Sequence, residues 1–105
     1  MTTFELPRVH YGFEGRVATL LSTAIDVESK AHDDIASANV DWKFWGTVYR
    51  DARGVDGAGC RRALDKIDGC RSRIAAAEAM LRYASDLVGK AVEVEEDGRR
   101  EWGLE

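Results

Sequence analysis

The sequence predicts a mainly α protein, either an antiparallel helical hairpin or a compact three-helix bundle, with a small C-terminal β-hairpin added. Three observations lead there. Pro7 is the only proline in 105 residues, so nothing after it interrupts long helices. Two stretches repeat apolar residues at alternating spacings of three and four, as expected of a helix face that meets a partner. Between them, "GVDGAG" at 54–59 supplies the glycines that end one helix and reverse the chain.

The first track runs through Val17, Leu21, Ala24, Glu28, Ala31, Ile35, Ala38, Trp42, Trp45, Tyr49 and Ala52, with Glu28 its only polar member. Within "SANVD", Asn39 offers a C-terminal stop and Asp41 a fresh N-cap, and Gly46 weakens the helix beyond them. A break near Asn39 is therefore expected, with helices at about 14–38, 41–53 and 58–89. The second track runs through Cys60, Ala63, Ile67, Cys70, Ile74, Ala77, Leu81, Ala84, Val88 and Ala91. A further stripe, Gly69, Ser72, Ala76, Met80, Tyr83 and Leu87, makes the last helix apolar on more than one side. One partner helix does not cover both sides. Either the short aromatic helix or a second copy must, and the expectation is a homodimer with Ala76, Met80, Tyr83 and Leu87 at the contact.

The tail "VEVEEDGRREW", 92–102, alternates valine with acids and carries Asp97-Gly98. It reads as a β-hairpin at 92–103 that sets Glu96 opposite Arg99 and Glu95 opposite Arg100. Such a hairpin needs support, from an extended "TTFEL" at 2–6 or from Trp102 packed on the helices.

The length suits one domain over 1–105. No apolar run approaches the roughly 18 to 20 residues of a membrane span, and the first residues lack the basic flank and apolar stretch of a signal peptide, so a cytoplasmic location is expected. Residues 14–41 carry six acids and two bases, whereas 50–85 carry eight bases and five acids. Arg61, Arg62, Lys66, Arg71, Arg73 and Arg82 are expected to balance the acidic first arm along the hairpin. A net charge of −4 argues against a nucleic-acid partner.

The chemistry-bearing constellations are sparse. "AHDDI", 31–35, resembles the His-Asp pair of HD-type metal-dependent phosphohydrolases in two residues, His32 and Asp33. That family draws further ligands from other helices, and His10 is the only other histidine. His10, His32, Cys60 and Cys70 lack the close ligand pairs of a zinc site, and Cys60 and Cys70, about 15 Å apart along one helix, neither share an ion nor bridge each other. All-α pyrophosphatases hold magnesium with E-x-x-E pairs on helices, and the pair here, Glu93 and Glu96, falls in the expected hairpin. No enzymatic role, cofactor or metal is expected. In architecture, with about 100 residues, a helical hairpin and Trp45-Gly46 near the middle, the chain resembles the WXG100 secreted proteins of type VII systems. The likeness covers architecture alone, since that family places one residue between Trp and Gly at the turn.

What remains is binding. The expected function is that of a small acidic helical protein that occupies a partner protein's surface, as phage-encoded inhibitors and immunity or antitoxin proteins do. Two alternatives accompany it: a self-assembling structural or adaptor protein, such as a phage or secretion-system helical hairpin, and an oligomer that holds a small anionic nucleotide with its arginines. The residues expected to contact the partner are Trp42, Lys43, Phe44 and Arg50, with Trp45 and Tyr49 pointing inward as structure.

Overall fold

The computed structural model describes residues 12–104. It is one long antiparallel hairpin of two helices, α1 (Gly12–Ala52) and α2 (Gly57–Glu101). The reversal takes only the four residues between them. Arg53 N donates to the Tyr49 carbonyl, and Val55 N and Asp56 N both donate to that of Ala52. Gly54 closes the turn at φ 79°, a left-handed conformation that costs glycine least. Asp56 then caps α2, its Oδ1 accepting from Gly59 N at 3.0 Å.

The seam between the helices is built on small residues. Ala24, Ala31 and Ala38 on α1, and Ala63, Cys70, Ala77, Ala84, Ala91 and Gly98 on α2, stand seven apart and are all buried. A small residue at each heptad lets the two axes approach closely where both rows run, from Ala24 to Ala38 on α1. Larger neighbours fill the flanks: Ile67 and Val94 are buried, and Leu20, Val27, Ile35, Ile74, Leu81 and Leu87 are half-buried.

Near mid-length both helices shift which flank they bury. On α1 the seam passes through Leu20 and Val27, and leaves Leu21 and Glu28 of the expected track exposed. On α2 it passes through Leu87, and Val88 is 42% exposed. Each helix thus departs from strict alternation by one step at the same level of the hairpin, as helices with 3.6 residues per turn must when a seven-residue repeat runs this far. Glu28 is the visible sign of this shift in the sequence.

Two expected features are absent among the described residues. The break at Asn39 does not occur, so there is no third helix. Ala38 is fully buried against α2, and Asp41, expected as a cap, accepts instead from Arg73 Nη1 at 2.6 Å, while Arg73 Nη2 donates to Ser37 Oγ at 2.9 Å. That clasp holds the stretch helical, and an asparagine inside a helix costs less than about 1 kcal/mol relative to alanine. The β-hairpin is also absent: residues 92–101 continue α2. Val92 and Val94 satisfy a two-residue period over too short a run, whereas Ala91, Val94 and Gly98 continue the 3-4 seam. Extending an existing helix needs no nucleation, and the acids and bases of the tail pair along it, Arg99 with Glu95 at 3.5 Å and Arg100 with Asp97 at 3.4 Å. Gly98 is not a turn residue. A Cβ there would fall inside the Phe13 ring, so its missing side chain is the socket for α1's first aromatic. The "TTFEL" segment expected to support a hairpin lies outside the described residues.

Candidate functional site

The aromatic cluster lies near the closed end of the hairpin, in the last turns of α1. Residues i and i+2 on a helix point to different sides, and the structure separates the cluster accordingly. Trp42 and Trp45 are half-buried on opposite edges of the seam, each under a cation from α2: the Arg71 guanidinium lies 5.3 Å from the Trp42 ring centre and Lys66 Nζ 5.9 Å from that of Trp45. Tyr49 is half-buried, and its carbonyl accepts from the Cys60 thiol at 3.8 Å. Phe44 meets Trp45 edge-on, with ring centres 5.0 Å apart and planes at 80°, yet 59% of its surface is exposed.

The four residues expected to contact a partner do not form one patch. Trp42 is engaged with Arg71. Lys43 and Arg50, seven apart, share another side and are exposed to solvent. Phe44 joins a ridge whose first member, Val40, sequence reasoning missed: Val40, 67% exposed, Phe44, and the half-buried Val48 succeed one another at four-residue spacing. The signal was legible in that spacing. The residues expected at an oligomer contact do line up on α2: Ala76, Met80 and Tyr83 are exposed at spacings of four and three, and Leu87 is half-buried at the end of the stripe. A second apolar strip, also missed, lies at the open end. Leu21 shares a groove with Glu95 and Arg99, Ile25 comes one turn further along α1, and Val92 and Val88 continue the same edge of α2, all four exposed.

Charge is arranged end to end and not arm against arm. Residues 41–73, which form the closed end, carry eight bases and five acids, while the other described residues carry twelve acids and six bases. In an antiparallel hairpin the last turns of α1, with two bases and two acids over 41–52, lie beside the early, basic part of α2. The expected balance of α2's arginines against the acidic first arm is therefore realised once among the described residues, at Arg73–Asp41. The Asp41 hydrogen bond raises the Arg73 pKa further above its ordinary value, so Arg73 keeps its charge wherever the helices persist. Arg71 pairs with Asp68 on its own helix at 3.8 Å. Among the described residues, Lys43, Arg50, Arg53, Arg61 and Arg62 have no acidic partner.

His32, Asp33 and Asp34 are exposed on α1. His32 Nε2 is 3.6 Å from Glu28, and Asp34 is 3.7 Å from Lys30. Cys70 is buried in the seam and Cys60 half-buried, both as free thiols. His10 lies outside the described residues. Among the described residues no three His, Cys, Asp or Glu side chains converge as metal ligands, and no helix is long and apolar enough to cross a membrane. Comparison with protein-family models, with curated proteins and with solved structures returns no match.

Proposed function

We propose that the chain is a non-catalytic macromolecule-binding protein that acts by occupying the surface of a partner protein or assembly, in the manner of a phage-encoded inhibitor or an immunity or antitoxin-type protein. The observation that carries this reading is the ridge Val40–Phe44–Val48. The seam is complete without it, since Ala38, Trp42, Trp45 and Tyr49 already close α1 onto α2, and leaving a phenylalanine 59% exposed forgoes hydrophobic stabilisation. Three apolar side chains on successive turns fit a groove or a helix on another protein, and an exposed aromatic ring is common in binding hot spots.

Two substitutions test it. Phe44→Ala is expected to change stability by no more than about 0.5 kcal/mol, as surface replacements do, and to weaken partner binding by about tenfold or more. Trp45→Ala is expected to destabilise, by less than the about 3–5 kcal/mol of a fully buried tryptophan because this one is half-buried. Binding is read by photo-crosslinking from position 43, and stability by thermal melts. Equal destabilisation by the two changes would assign the ridge to the core and remove the reading.

A second reading, a self-assembling structural or adaptor protein, is favoured by a different observation. The stripe Ala76–Met80–Tyr83 on α2 is exposed over two turns and offers an apolar surface to a second copy of the chain.

A further inference from the structure

We infer that two copies of the chain pair side by side and antiparallel across the Ala76–Met80–Tyr83 face, so that the basic closed end of each lies against the acidic open end of the other. This rests on the self-assembly reading and adds the orientation. Met80 sits at the middle of α2 and, by the register of the pairs Phe13–Gly98, Asp41–Arg73 and Trp45–Lys66, opposite the middle of α1. A twofold axis through this stripe lays the two hairpins over each other along their full length, either parallel or antiparallel. Charge decides between them.

Parallel pairing would gather a net charge of +6 at one end of the assembly and −12 over the rest, twice what each described chain carries there. Antiparallel pairing brings the unpaired Arg61 and Arg62 alongside a surface that contains Glu93 and Glu101, which are exposed and have no basic partner among the described residues of their own chain. The segregation of charge within one hairpin is self-repulsive at both ends, and the complementary surface is supplied by the same molecule reversed. Area supports the pairing. The chain exposes 8088 Å², whereas a compact chain of this mass exposes about 5,800 Å². The difference comfortably contains the about 800 Å² per partner of a standard interface.

Sedimentation equilibrium of the full chain tests this. The wild type is expected to form a dimer that weakens as sodium chloride rises from about 50 to about 500 mM. The closed-end pair Arg61→Glu with Arg62→Glu, and separately the open-end pair Glu93→Lys with Glu101→Lys, are each expected to raise the dimer Kd about tenfold or more. Combining all four in one chain is expected to bring Kd back to within about threefold of the wild type, because only antiparallel copies then meet opposite charges again. All four sites are exposed, and circular dichroism checks that each variant stays helical. A monomer at about 100 μM in low salt, a Kd too weak for a specific contact, would remove both the self-assembly reading and the orientation. A dimer whose Kd neither pair moves, or one that the fourfold variant fails to restore, would keep self-assembly and overturn the antiparallel arrangement.

Discussion

Gly98 shows how much a single side chain, or its lack, decides in a two-helix protein. It is buried, and a Cβ there would overlap Phe13. Gly98→Ala would favour the helix intrinsically but must push the ring off the seam, so a net loss of about 1–3 kcal/mol is expected from overpacking. Urea unfolding of Gly98→Ala, Phe13→Ala and the double variant checks the cause. If the ring is responsible, the alanine at 98 costs markedly less once Phe13 is gone. A cost that is the same in both backgrounds would place it elsewhere. At the same scale, Cys70 takes an alanine's place in the buried heptad row and serves as a small apolar residue.

At the scale of the element, the small-residue rows set how closely α1 and α2 approach, and this is where a residue can be too large. Ala38 is fully buried and belongs to the stretch clasped by Arg73. Ala38→Leu is expected to force the axes apart and cost about 1–3 kcal/mol, whereas Ala36→Leu, two residues away on the exposed side, should be nearly neutral. Both are read by thermal unfolding, and similar melts for the two would argue against a close-packed seam at Ala38. The two tracks and the glycine turn were legible in the sequence because long helices repeat one signal many times. The continuity of α1 was not, because Asn39 and Asp41 carry cap chemistry whatever the helix does, and the Arg73 clasp that overrides it comes from the other arm. The tail misleads because a two-residue and a 3-4 spacing cannot be told apart over Val92 to Val94. Of the candidate site, the outward turn of Phe44 was legible from its place off the main track. Its separation from Trp42, and the gathering of bases at one end, depended on which residues of α1 and α2 stand at one level.

At the scale of the molecule, the hairpin's form has an energetic consequence. Its radius of gyration is 23.5 Å and its extents are 80 × 34 × 15 Å, against about 13 Å for the radius of a compact domain of this length. A four-residue turn between two unbroken helices cannot fold back into a third layer, so each helix has one neighbour. The buried core is mostly alanine, with Ile67 and Val94 its largest members. Burial contributes about 25 cal/mol per Å², and alanines bury little, so one hairpin alone is modestly stabilised for its length. Covering Met80 and Tyr83 with a second copy, as inferred above, would add apolar burial and link folding to association. The thermal midpoint is therefore expected to rise with protein concentration over a hundredfold range. It should fall, and lose that dependence, in Met80→Glu, which would place a charge in that contact. Small-angle scattering supplies the geometric half of the test. Antiparallel pairing thickens the particle while its longest dimension stays near 80 Å, whereas end-to-end association would lengthen it greatly. A midpoint independent of concentration, or a particle that lengthens as it assembles, would show that the stripe on α2 is not where the hairpin completes its core.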